Sequence, residues 1–181
     1  SDISNKGSIK VDSSTSGVGI YASAGSTGTG ANNTGSIEIT DGNSVGIFAE
    51  NSNISYNGNV TIDNVTSGIG MYSKATAGNT SSITNNGLLS LGASVTGMYS
   101  EGASSANFGN ITNTGTITSL ASSDKAIGMY IGSNGKGTNT GTISLTALGT
   151  DKSQVGVYNS GEFSMSAGNI SVSSQDGAGL Y

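Results

Sequence analysis

The sequence predicts an all-β fold, a right-handed parallel β-helix (solenoid) of about seven coils, each of roughly 27 residues. Three observations predict it. A Gly-apolar-aromatic motif recurs seven times along the 181 residues. An Asn-x-Gly motif, followed by alternating apolar and polar residues, interleaves with it at the same period. The chain holds 30 Gly, 33 Ser, 20 Thr and 19 Asn, together 102 residues, and no Pro. That composition suits many short paired strands joined by tight turns, since proline would remove ladder hydrogen bonds. Composition alone would also suit disorder, but two motifs sharing one period over the whole chain exclude it.

The first motif gives one strand per coil. Its copies are Val18-Gly19-Ile20-Tyr21, Val45-Gly46-Ile47-Phe48, Ile69-Gly70-Met71-Tyr72, Thr96-Gly97-Met98-Tyr99, Ile127-Gly128-Met129-Tyr130, Val155-Gly156-Val157-Tyr158 and Ala178-Gly179-Leu180-Tyr181. Simple alternation puts Val18 and Ile20 on one face, and Gly19 and Tyr21 on the other. The second motif has glycines at 7, 35, 58, 87, 115, 141 and 168. Apolar pairs follow them: Ile9 and Val11, Ile37 and Ile39, Val60 and Ile62, Leu89 and Leu91, Ile143 and Leu145, Ile170 and Val172. Period-two alternation means a strand with one buried face. The fifth copy departs, because Ile117 is followed by Thr118, Ser119 and Leu120; a bulge or small shift is expected there. A third strand is expected before the Asn, where Ile3, Ile54, Ile83 and Ile111 recur.

Three short strands and three turns make one coil. No single coil buries its inward residues, so coils stack and aliphatics pile on aliphatics. At about 4.8 Å per coil, seven coils give a rod of roughly 30–35 Å. The Asn residues are expected to tolerate left-handed backbone and to stack as amide ladders, and the turn glycines to supply positive φ. The stretches Ala22 to Asn32 and Leu145 to Val155 read as surface loops. Residues 1–181 form a single repeat segment with no internal boundary. It starts inside a repeat and stops at the end of one, without the atypical capping repeats of solenoid ends. A slice of a longer protein is therefore expected.

Missing residue types exclude whole classes of chemistry. There is no Cys, His or Arg, and the net charge is -5. Disulfides and thiolate metal sites are gone, as are the Ser-His-Asp triad and Arg phosphate clamps. The acidic balance without a basic patch argues against nucleic acid. No apolar run approaches the roughly 20 residues of a membrane-spanning helix. No cofactor is implied.

The Asn-Thr-Gly-x-Ile-x-Ile and Val-Gly-Ile-Tyr repeats resemble the passenger domains of type V secreted autotransporter adhesins, the large β-helical adhesins of Gram-negative anaerobic bacteria. The resemblance covers the whole chain. It implies a signal peptide before this segment and a C-terminal outer-membrane β-barrel after it. It implies display at the cell surface, anchored to the outer membrane, and attachment to a glycan or protein receptor on host cells or other bacteria. The absence of Cys suits passage through a narrow barrel.

The candidate binding residues are the aromatic column: Tyr21, Phe48, Tyr72, Tyr99, Tyr130, Tyr158 and Tyr181. Facing outward, it would offer a sugar or a protein a row of amphipathic rings. The alternative is structural, each ring stacking on the next. An acidic row (Asp12, Asp41, Asp63, Asp124, Asp151, Asp176) suggests Ca²⁺, but its offsets from the motif glycine are ragged, and turn formation explains it more simply. Thr114 to Thr118 and Thr138 to Thr142 suggest an ice-binding array, yet Ser36, Asn59, Leu88 and Asn169 break the Thr116 column. No catalytic residues are expected: acids are one or two per coil, and a polysaccharide-acting β-helix needs them clustered in one groove. The expected function is a structural and adhesive rod, with a pure spacer stalk as the alternative and a polysaccharide-acting enzyme as the remote one.

Overall fold

Twenty strands stack in parallel into three sheets in the computed structural model, which describes residues 2–12, 15–63, 65–148 and 152–181. The Asn-Gly sheet holds Ser8–Val11, Ser36–Ile39, Asn59–Ile62, Leu88–Leu91, Thr116–Ser119, Thr142–Thr146 and Asn169–Ser173. The aromatic sheet holds Val18–Ala22, Val45–Glu50, Gly68–Ala75, Val95–Gly102, Ile127–Ile131, Val155–Asn159 and Ala178–Leu180. The third sheet holds Thr27–Gly28, Asn53–Tyr56, Ser81–Asn85, Gly109–Asn113, Lys136–Asn139 and Glu162–Ser164. The chain visits the three in rotation, so each strand pairs with its equivalent one coil on. This is a parallel β-solenoid, as the repeats predict, and is consistent with a β-helical passenger domain. Seven rungs on two sheets and six on the third give about six complete turns rather than seven.

The core is a set of columns. Ile37, Val60, Leu89, Ile117 and Ile143 stand in register and are fully buried. Ile54, Ile83 and Ile111 form the matching column of the third sheet. Gly137 interrupts that column, and Ile131 of the aromatic sheet fills the gap: a Cβ at Gly137 would lie 2.6 Å from Ile131 Cγ1. A large side chain has moved from one wall to the other at nearly constant volume, the kind of exchange a close-packed core tolerates best.

The aromatic sheet corrects the expected faces. Alternation holds before and after the motif glycine, but slips at it: in Gly68–Ala75 the buried residues are Gly68, Gly70, Met71, Ser73 and Ala75, and the outward ones Ile69, Tyr72 and Lys74. Thus Gly19 and Ile20 both face the core, while Val18 and Tyr21 share the outer face. Glycine is required because the coils touch there. A Cβ at Gly70 would stand 2.6 Å from both the Gly97 carbonyl oxygen and Leu89 Cδ1.

Two further expectations change. From Gly35 onward the glycines of the Asn-x-Gly motif serve close approach, only Gly168 among them having positive φ, while Gly7 in the first coil has open space around it. A Cβ at Gly58 would lie 1.8 Å from the Gly35 carbonyl oxygen, and one at Gly87 2.0 Å from that of Gly58. The motif asparagines are likewise absent from the left-handed region, which among the described non-glycine residues holds Asn51, Ser94, Lys125 and Asn134. Their side chains do the work, as an internal ladder. Asn85 Nδ2 donates to Asn113 Oδ1 at 2.8 Å, and Asn113 Nδ2 donates to Asn139 Oδ1 at 2.8 Å. Tyr56 replaces Asn in the third coil and is fully buried; its hydroxyl donates to the Gly35 carbonyl and accepts from Asn5 Nδ2.

At the fifth copy no residue is inserted. Thr116–Ser119 stays in register with Leu88–Leu91. The irregularity is confined to Ser119, whose hydroxyl donates to the Thr146 carbonyl and accepts from Thr146 N. The stretch Ala22 to Asn32 is not only a loop: it carries the third-sheet strand Thr27–Gly28 and a 3-10 turn, Gly30–Asn32. Of the second loop, Leu148 is 86% exposed.

Candidate functional site: an outward aromatic ladder

The slip at each glycine aims the next residue outward, so the seven aromatics line one external face of the solenoid. Tyr21 and Tyr181 at its ends are 52% and 71% exposed, and the five between them are half-buried by their neighbours. The rings form a continuous ladder with centroids 4.7–5.2 Å apart. Phe48, Tyr72 and Tyr99 stack at interplanar angles of 7° and 15°. Tyr130, Tyr158 and Tyr181 stack at 17° and 17°. Between the two sets, Tyr99 and Tyr130 meet edge to face at 87°. Both the outward orientation and the ring stacking are thus present, and they are not exclusive alternatives.

Two neighbouring columns complete the face. On one side stand Val18, Val45, Ile69, Thr96, Ile127, Val155 and Ala178 in register, with Val18 44% exposed. Single-face alternation assigns these residues to the core, so sequence reasoning missed them; the motif glycine was the available signal. On the other side Glu50, Lys74 and Glu101 occupy successive coils. Lys74 Nζ lies 3.9 Å from Glu50, both partly exposed, a pair worth little in water.

Glu101 organises the middle of the ladder. The Tyr72 and Tyr99 hydroxyls both donate to its carboxylate, the latter at 2.8 Å. Tyr21 makes the equivalent bond to Glu50 at 2.7 Å. Burial, then the Glu101 carboxylate, push the Tyr72 and Tyr99 phenols well above the ordinary tyrosine value. A phenol donating to a carboxylate cannot ionise without placing two negative charges together.

The other sequence candidates do not converge. Asp41 Oδ1 accepts from Gly42 N at 2.7 Å, and Asp124 pairs with Lys152 at 3.4 Å. Asp63 accepts from the Ser122 hydroxyl two coils on at 2.7 Å, reaching past Gly92, where a Cβ would lie 2.5 Å from Asp63 Oδ1. Asp151 lies outside the described residues. Among those described, no three His, Cys, Asp or Glu stand close enough to hold a metal ion, and no helix is long and apolar enough to cross a membrane. The Thr116 column runs Ser8, Ser36, Asn59, Leu88, Thr116, Thr142, Asn169, so a regular hydroxyl array is not formed. Comparison with protein-family models, curated proteins and solved structures finds no match to this chain.

Proposed function

We propose that this chain is a rod segment of an exported, outer-membrane-anchored adhesin of the type V autotransporter kind. Its local role is to hold an aromatic and aliphatic face at the cell surface for attachment to host cells or other bacteria. The observation that carries this reading is the outward ladder itself. Seven aromatics beside six aliphatics and one Thr make a contiguous apolar stripe on a chain that is more than half Ser, Thr, Asn and Gly. Contiguous exposed apolar surface of that kind marks a contact site in a soluble protein, and tyrosines concentrate binding energy at low entropic cost. A glycan or a protein receptor is the partner class; catalysis has no part in the proposal.

The spacer reading has one observation of its own: the stacked rings cover each other's faces, as a purely structural ladder would. Binding of the immobilised chain to host and bacterial cells separates the two. Saturable binding that disappears when Tyr72, Tyr99 and Tyr130 are replaced by Ser, with the β signal in circular dichroism unchanged, supports the adhesive role. Silence from the folded chain leaves the spacer role.

A further inference from the structure

Stacked rings offer edges, not faces, to solvent, and a ligand that stacks needs a face. The ladder exposes one where it changes orientation. Glu101 draws the Tyr72 and Tyr99 hydroxyls to one side. Tyr99 is able to lean that way because the neighbouring position in the next coil is Gly132, where a Cβ would be 3.0 Å from Tyr99 Cε2. Tyr130 belongs to the other stack and stands at 87° to Tyr99. The result is a hollow of about 200 Å³ on the outer face, lined by Ser67, Gly68, Ile69, Thr96, Tyr99 and Tyr130.

We propose that this hollow binds one ring of a neutral glycan. This deepens the adhesive reading and rests on it. The size sets the limit, since drug-sized ligands occupy roughly 300–1,000 Å³ and this hollow takes a single ring. The lining sets the chemistry. Two aromatic walls and Ile69 receive the C–H face of a pyranose, while the Ser67, Thr96 and Tyr130 hydroxyls meet its hydroxyls at the rim. A purely aliphatic side chain of a protein partner would leave those hydroxyls without exchange partners. Charge sets the selectivity. No charged residue lines the hollow, Glu101 stands beside it, and the chain carries -5 overall, so an acidic sugar gains no counter-charge and meets a negative field.

The test is saturation-transfer NMR on the 181-residue chain. The probes are methyl galactoside and N-acetylglucosamine (neutral) and N-acetylneuraminic acid (anionic). The neutral probes are expected to receive saturation from the protein with a Kd on the order of millimolar, as a ligand of about a dozen heavy atoms allows. Tyr130→Ala, which removes a wall, and Ile69→Phe, which fills the floor, each weaken binding at least tenfold. Leu148→Ala, an exposed apolar side chain outside the ladder and the hollow, leaves it unchanged. Should Tyr130→Ala misfold, Ile69→Phe and Thr96→Val carry the same comparison. No transfer to either neutral probe, equal binding of the anionic one, or equal loss in Leu148→Ala overturns the assignment. If the neutral probes fail while the chain still holds cells through its tyrosines, only the sugar assignment falls and a protein receptor takes its place. If cells are not held either, the adhesive reading falls with it.

Discussion

Asn113 and Asn86 each make three side-chain hydrogen bonds, and they are expected to differ several-fold in what they contribute to stability. Asn113 is fully buried; it accepts from Asn85, and donates to Asn139 Oδ1 at 2.8 Å and to the Thr142 carbonyl at 3.3 Å. Asn86 is exposed; it donates to Ser55 Oγ at 2.8 Å and Asn57 Oδ1 at 2.7 Å, and accepts from the Thr114 hydroxyl at 2.6 Å. Asn113→Ala strands Asn85 Nδ2 and Asn139 Oδ1 in a site without water, at about 1–3 kcal/mol for each orphaned group, so about 4 kcal/mol in all. Asn86→Ala strands nothing, because water replaces the lost partners, and costs about 0.5 kcal/mol. Guanidinium unfolding followed by circular dichroism reads both. The m-value must be compared as well, since a solenoid that frays coil by coil unfolds with a smaller slope. Equal losses in the two variants, or a loss below about 1 kcal/mol for Asn113→Ala, would refute the idea that the amide ladder acts through burial.

Other substitutions test other columns. Ile37→Asp places a carboxylate in the core and is expected to cost several kcal/mol, while Ser36→Asp on the outer face does almost nothing; thermal melting compares them. Gly58→Ala drives a methyl into the Gly35 carbonyl and is expected to destabilise by about 1–3 kcal/mol, whereas Gly7→Ala, the same motif position with open space around it, is neutral in the same melt. Phenolate absorbance is expected to show Tyr72 and Tyr99 ionising well above the ordinary tyrosine range, and Glu101→Gln brings both down. The folded chain holds these two protons more tightly than the unfolded chain. Their contribution to stability is therefore complete below about pH 10 and declines as the pH rises beyond it. A titration unchanged by Glu101→Gln would contradict that.

Most of the fold was legible because a solenoid repeats its evidence. Six copies of apolar-x-apolar alternation outweigh the lapse at Ser119, and the isoleucines recurring at 3, 54, 83 and 111 located the third sheet although no single copy would. What stayed hidden depends on neighbouring coils. Whether Gly58 supplies positive φ or close approach is decided by the Gly35 carbonyl beneath it. The strand Thr27–Gly28 is two residues long and pairs with Asn53 and Ile54, so its own sequence carries no apolar pattern. Of the candidate site, the aromatic column was plain. The aliphatic column beside it, and the reorientation between Tyr99 and Tyr130, were not. The first had its signal in the motif glycine, while the second follows from contacts between coils that no spacing encodes.

The motif glycine ties the fold to the proposed function. Strict alternation from Val18 would send Ile20 outward and Tyr21 into the core. With glycine at 19, the pleat turns two successive residues inward, and the outward positions become the first and fourth of the motif. That one slip, repeated at 46, 70, 97, 128, 156 and 179, lays an aliphatic column beside an aromatic one and makes a single stripe. Only glycine permits it, because the next coil's carbonyl lies 2.5–2.7 Å from any Cβ placed at the first six of these sites. A side chain there would push the coils apart and break the ladder together with the core behind it. The same column therefore sets the coil spacing and the aim of the rings. Function-altering changes that spare the fold come instead from the outward positions, such as Ile69 and Thr96, which line the hollow, and Glu101, whose carboxylate holds the Tyr99 hydroxyl.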